Sequence, residues 1–291
     1  GETTKWANHA DMNSKGVEFT LNTRNIVIPD FSWTTNVTFS YNTNKIKKLK
    51  SKPNIMRLVR EEGGPLEGHA AAGLYSIPFA GLSEEGLPTF YWKNGELIED
   101  NINFQESQDV SFLKYEGSVD PSIVGGMENS FKYKNLTLGV YFTYQFGNKI
   151  RLYPSFKARY SDTGAMPAEL ADRWMIRGDE HKTNVPAIPS RRQYRDFSSL
   201  TSVYNAYNYS DQRVARGDFI RLKDITLSYT LPKKWISPLS LNNAEFRFVA
   251  SNLALLYSDK KLNGQDPEFF RSGGVAMPMP RQFTFTLRVG L

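Results

Sequence analysis

Residues able to do chemistry are few and scattered. The chain has three histidines, His9, His69 and His181. No two have metal-ligand spacing, so each reads as a loop residue. Glu61-Glu62 and Glu84-Glu85 are paired carboxylates of the kind glycoside hydrolysis uses. Adjacent acids followed by Gly63 and Gly86 read more plainly as solvated loop charge. Asp259, Asn263 and Asp266 offer oxygens to a calcium ion, but their spacing is loose. The chain has no cysteine, which excludes thiolate chemistry and a disulfide framework. No phosphate-binding Gly pattern and no nucleophile constellation stands out. The residues thus point away from an enzyme, and to neither cofactor nor metal.

Binding is the more informative chemistry. Trp174, Tyr194, Tyr204, Tyr207 and Tyr209 share one stretch with Arg173, Arg177, Arg191 and Arg192. Aromatic faces and guanidinium forks hold sugars and peptides well. These residues are therefore the candidate substrate-binding set; the plainer alternative is that they pack their own loop. Lys45, Lys47, Lys48, Lys50 and Lys52 form the one dense basic run within a mild net charge of +6. The run follows a strand and reads as solvated loop, so no nucleic-acid partner is expected.

The elements that position these residues are strands. In 281–291, Phe283, Phe285, Leu287, Val289 and Leu291 fall on one parity, with Gln282, Thr284, Thr286 and Arg288 on the other. Side chains alternate faces along a strand, so this is one apolar and one polar face. The pattern recurs in 15–24, 31–42, 125–134, 136–147, 218–231 and 244–257. The strand over 218–231 changes parity near Lys223, which suggests a bulge or an exit from the apolar zone, and that over 244–257 switches parity near Ser251–Asn252. Residues 168–177 suggest a short helix, with Leu170, Trp174 and Met175 at helical spacing. No segment is long and apolar enough for a transmembrane helix, 68–82 being nearest. The chain is nonetheless rich in aromatics, with 19 Phe, 15 Tyr and 5 Trp.

Connections alternate between short (25–30, 135, 232–243) and long (43–124, 148–217) or medium (258–280). Outer-membrane barrels sort short periplasmic turns from long extracellular loops in this way. The fold class expected is all-β: a transmembrane antiparallel β-barrel fragment of about seven strands with long extracellular loops. Trp33, Tyr41, Phe146 and Tyr257 suit interfacial girdles. Arg24, Lys132, Gln145 and Arg288 would face the lumen. Seven is an odd number, whereas single-chain bacterial barrels have an even one. The chain therefore reads as the C-terminal piece of a larger barrel, beginning at Gly1 without Met or signal peptide. A soluble β-rich carbohydrate-binding protein is the alternative, since a half-wetted sheet also alternates.

Several segments resemble the SusC/RagA-type TonB-dependent transporters of the Bacteroidetes outer membrane. Asn13-Ser14-Lys15-Gly16-Val17-Glu18-Phe19 resembles that family's "NKGVE" segment. Gly117-Ser118-Val119-Asp120-Pro121 with Gly125-Gly126, and Tyr144-Gln145-Phe146-Gly147-Asn148-Lys149-Ile150, are similar to its turn and hairpin. The most specific stretch is 217–232, from Gly217-Asp218-Phe219-Ile220-Arg221-Leu222-Lys223-Asp224 to Pro232. Ser251-Asn252-Leu253 and Pro280-Arg281-Gln282-Phe283 follow in the family's order. The family commonly ends on Phe; here the last residue is Leu291, of the same apolar parity.

The resemblance covers nearly the whole chain and implies the last third of a 22-stranded barrel. Residues 1–291 would be the C-terminal portion of the barrel, without the plug domain or the TonB box. It implies a multi-pass outer-membrane protein, an importer of oligosaccharides or oligopeptides set in outer-membrane lipid. Its implied partners are a SusD-like surface lipoprotein and, through the missing N-terminal part, the TonB-ExbB-ExbD complex. A passive porin-like or structural barrel is the other reading. In the family context the loop aromatics could equally touch the lipoprotein.

Overall fold

The computed structural model describes residues 10–99, 102–157, 164–270 and 278–290. His9 and Leu291 lie outside the described residues. The chain divides into two compact units: a sheet unit of Lys15–Thr43, Pro121–Asn148 and residues from Arg216 on, and a loop unit built on Asn44–Asp120 and Lys149–Ala215.

Seven strands form one sheet in simple chain order: β1 (Ala10–Ile28), β2 (Phe31–Leu49), β3 (Ile123–Tyr133), β4 (Leu136–Phe146), β5 (Phe219–Thr230), β6 (Asn243–Tyr257) and β7 (Gln282–Gly290). These are the seven strands that alternation predicts. β1 and β2 run further than the pattern suggested, because their ends lose apolar alternation without losing β structure. Pairing from β2 through β7 is antiparallel.

The register aligns residues of like character across the sheet. Trp33, Phe131, Leu138, Leu227, Phe248 and Phe285 stand in one row. On the other face Asn36, Glu128, Tyr141, Asp224 and Ser251 form a row. The apolar face is uncovered: Phe285 is 70% exposed, Phe283 and Leu287 60%, and Val17 62%. Burying one such side chain is worth about 1.5–3 kcal/mol in water. A face that leaves them all open is built for hydrocarbon.

Turns at one end are tight. Pro29 and Asp30 link β1 to β2, and Lys134 and Asn135 link β3 to β4. Lys134 takes a left-handed φ of 51°. Asn135 donates through Nδ2 to the carbonyl of Thr230 at 2.8 Å, tying that turn to β5. The parity change near Lys223 is a bulge, with register shifts between Leu222 and Asp224 on β5 and across Ser251–Ala254 on β6, where the second parity switch falls.

The long connections of the loop unit are not irregular. The unit contains α1 (Ile55–Val59), α2 (Arg191–Asp196), α3 (Leu200–Asn208) and a ladder between Gly73–Ser76 and Lys114–Ser118. Phe79–Leu82, Pro88–Tyr91 and Leu97–Ile98 form a three-stranded sheet. Asn54 Oδ1 caps α1 by accepting from the Arg57 N–H at 3.0 Å, and Ser190 closes a capping box on α2 with Gln193. Ile55, Leu58, Tyr75, Ile77, Phe90, Leu200, Val203 and Tyr204 build its core. So long a segment must satisfy its own backbone groups, and it does so by folding.

The helix expected over 168–177 is a single 3-10 turn, Ala168–Asp172, because Arg173 is already extended. The stretch 68–82 holds two short strands rather than a helix. Among the described residues no helix is long and apolar enough to cross a membrane, which says nothing of strands.

Candidate functional site

Two surfaces bear on function, one in each unit. On the sheet, the register places Lys132 between Ser32 and Thr137, Gln145 between Val124 and Phe219, and Arg288 opposite Glu245. Arg24 shares a shallow hollow with Asn36, Glu128 and Ser130. All four side chains expected to face the lumen thus fall on the polar face.

That face also holds a feature the sequence did not reveal. Arg221 is 7% exposed, and its guanidinium donates through Nη2 to both Asp266 oxygens at 2.6 Å. Glu268 stands 3.0 Å from the same nitrogen, and the Phe219 ring lies 5.4 Å from the guanidinium. Asp266, considered above for calcium, is committed to this pair. Asp259 caps the turn Lys260–Leu262 and accepts from the Arg216 N–H at 2.8 Å. Asn263 closes that turn at φ 50°. Among the described residues no group of three acidic or histidine side chains could hold a metal.

In the loop unit the candidate binding residues separate. Tyr204 and Tyr207 are each 3% exposed and lie on the buried side of α3. Tyr204 donates to the Ala187 carbonyl, and Tyr207 to that of Asn184 at 3.0 Å. Burial pushes the Tyr207 phenol's pKa up. These two are core residues, a correction to their reading as ligand contacts. Leu200, Val203, Tyr204 and Tyr207 recur at i, i+3, i+4 and i+7, a helical signal that reading the tyrosines as binders obscured.

Trp174 is half-buried. Its ring packs so closely on Gly86 that a Cβ there would come within 2.4 Å of it. Its indole N–H donates to Glu180 Oε2 at 2.9 Å. That bond, joined by the Gly178 N–H, holds the Glu180 carboxyl below the usual range. Beside it, Asp179 is held low by Lys182 and by the N–H groups of Ile176 and Met175. Arg173 donates to the Leu170 carbonyl at 2.8 Å, and Arg177 pairs with Glu84. Tyr209 meets Phe104 edge-on, and Tyr194 packs on the core. Arg191 and Arg192 are exposed on α2.

The remaining chemical candidates have structural surroundings. His69 lies against Tyr115 and Tyr75, at ring separations of 4.2 and 5.8 Å. Burial and then Lys45 lower its pKa. His181 is exposed beside Glu180. Glu61 and Glu62 are exposed, as is Glu84 with its Arg177 partner. Among the described residues the most buried charge is Arg151, whose Nε, Nη1 and Nη2 donate to the carbonyls of Val59, Ser210 and Tyr75 at 3.1, 2.6 and 2.6 Å. It joins α1, a strand and the end of α3 from one side chain.

An open sheet with one hydrocarbon face, one polar face, tight turns and long folded loops defines part of an outer-membrane β-barrel. Comparison with known proteins narrows the class. The chain is 30% identical to the TonB-dependent receptor P26 of Formosa agariphila, over 99% of this chain and 30% of that protein. It is 26% identical to the receptor P3 of the same organism, over 92% and 26%. With the TonB-dependent receptor SusC of Bacteroides thetaiotaomicron it shares 23% identity over 98% and 27%. No protein-family model matches. In fold it is similar to the RagAB peptide importer in its "open-open" state, with a TM-score of 0.66 at 20% identity over 96% of this chain and 29% of that one. The "closed-closed" state gives 0.65 at 21% identity, over 97% and 30%.

The chain spans between 26% and 30% of the length of these curated relatives. It is homologous over most of its own length to TonB-dependent receptors, SusC among them, and is an outer-membrane β-barrel protein. These homologues are receptors and transporters, not enzymes.

Proposed function

We propose that this chain is the C-terminal portion of the barrel of an active importer of bulky nutrients, oligosaccharides or oligopeptides. The observation that carries the reading is the seven-stranded sheet with its uncovered apolar face, in a chain similar to TonB-dependent receptors nearly from end to end. β1 and β7 end the sheet with open edges, and open edges in lipid need further strands to pair with. Energy would come through TonB, and a SusD-like lipoprotein would hold substrate at the mouth. Arg24, Lys132, Gln145 and Arg288 would line the lumen. Among the loop candidates, Arg173, Trp174, Arg177, Tyr194 and Tyr209 retain surface to offer a ligand or the lipoprotein.

The test is deletion of the full-length gene together with its lipoprotein partner, followed by uptake assays with labelled oligosaccharides and oligopeptides. Uptake of one class should disappear while that of monomers persists. Collapse of the proton gradient should stop the same uptake in the parent strain. Uptake that survives deletion would overturn transport, and uptake indifferent to the gradient would indicate a passive barrel.

A further inference from the structure

From residue 45 to residue 60 the chain carries five lysines and two arginines and no acidic residue. All seven cationic side chains are exposed, while Ile46, Ile55, Leu58 and Val59 among them are buried. The segment is thus anchored by its apolar residues; within β2, Lys45 and Lys47 lie on the face opposite the buried Ile46. Among the described residues none of the seven is in an ion pair. The acid bound to the strip, Glu67, accepts the Leu49 N–H at 2.7 Å.

The strip begins inside a membrane strand. β2 is unbroken from Phe31 to Leu49, and its apolar parity ends with Phe39 and Tyr41. Lys45 and Lys47 keep that parity. Four residues of extended chain span at most about 14 Å, so Lys45 is tethered that close to Tyr41. Aromatic rings at strand ends mark the headgroup level. The strip leaves β2 toward a long connection, the extracellular side of such a barrel.

We infer that the basic strip that opens at Lys45 binds the phosphate groups of outer-leaflet lipid, with Lys45 and Lys47, on the membrane-facing parity of β2, as its contacts. This rests on the outer-membrane placement and is independent of the nutrient imported. Lysine stems lie along apolar surface while the ammonium reaches the phosphates. Clustered cations next to a membrane strand gain from anionic headgroups in a way that salt screens. An acidic polysaccharide captured as substrate is the competing occupant.

The full-length protein, purified in mild detergent from outer membranes, would be compared with a variant carrying Lys45→Gln and Lys47→Gln. A second variant would carry Arg at the same two positions. Mobility in unheated gels would check barrel folding in each. The readout is lipid A phosphorus retained per protein, and rebinding of purified lipid A at two salt concentrations. The Gln variant should lose at least about tenfold in rebinding, with the Arg variant near wild type and high salt mimicking the loss. Equal retention in a folded Gln variant would overturn the inference. So would lost binding of polygalacturonate with lipid A retention unchanged, which would assign the strip to substrate. If the Gln variant alone fails to fold, rebinding by the Arg variant and its salt dependence decide: salt-insensitive binding there overturns the inference as well.

Discussion

Lys223 Nζ donates to Asn252 Oδ1 at 2.8 Å, joining the two places where β5 and β6 depart from register. Lys223 is the residue that β5 carries in excess against β4, between Leu222 opposite Phe142 and Asp224 opposite Tyr141. Asn252 takes φ 55°, a conformation that asparagine tolerates better than most residues. The bond lets two polar side chains satisfy each other where a bulge frees them from regular pairing.

Lys223→Met should remove that bond and lower stability by about 1 kcal/mol. Asn252→Ala should cost more, about 2 kcal/mol, because it also forces alanine into left-handed backbone. Asn252→Gly should fall below Asn252→Ala, since glycine carries no such strain. Urea unfolding in detergent gives the order, and a glycine variant as poor as alanine would remove the backbone account.

Gly125 and Gly126 lie under two tyrosines on opposite faces. Tyr144 crosses Gly125, and its hydroxyl donates to the Thr38 carbonyl at 3.0 Å. A Cβ on Gly125 would come 2.3 Å from that carbonyl oxygen, and one on Gly126 would come 2.7 Å from the Tyr141 hydroxyl. Gly125→Ala should therefore cost about 1–3 kcal/mol by overpacking. Gly139→Ala, whose Cβ would meet nothing nearer than 3.6 Å, should be milder. Midpoints of gel-mobility unfolding would compare the two.

Arg151→Met should loosen the loop unit and leave the sheet unit intact. Without the guanidinium, the carbonyls of Val59 and Tyr75 lose a buried donor, at about 1–3 kcal/mol for each group left unpaired, while that of Ser210 keeps the Arg213 N–H at 3.1 Å. Lysine at 151 should rescue little, since one ammonium cannot replace the fork. Limited trypsinolysis followed by mass spectrometry should find new cuts within 44–120 and not in β3 or β4.

The turn around Trp174 should loosen in acid. Asp179 and Glu180 are both held below the ordinary carboxylate range, Asp179 first by Lys182 and Glu180 first by the Trp174 indole. A depressed folded value means that the stabilisation is complete above about pH 4 and is lost as pH falls through the lowered values. Trp174 emission, taken as the difference from a Trp174→Phe variant, should change below about pH 4 in the parent. In Glu180→Gln the acid step should shrink; an unchanged step would mean that another group reports.

Much of this was legible in the sequence, for reasons visible in particular residues. Alternation located all seven strands, because a hydrocarbon face is apolar in nearly every row, and where it is not, Thr35 and Asn129 stand paired and Thr35 donates to Asn129 at 2.7 Å. Even the parity changes at Lys223 and Asn252 were readable. The loop unit was not. Its elements are short, its strands run four residues or so, and its buried residues do not alternate over enough length to show a period. Tyr204 and Tyr207 look like binding aromatics until α3 is seen to turn them inward.

By itself the sequence determined the membrane strands and their two faces, since side-chain parity along a strand depends only on neighbouring residues. Tertiary structure alone decided which long-range partners meet: Arg221 with Asp266, Trp174 with Gly86, and Arg151 with three carbonyls from distant segments. Those pairings join residues tens of positions apart. What selects them is the closure of a packed unit, in which each buried charge and donor must find a partner that no local pattern announces.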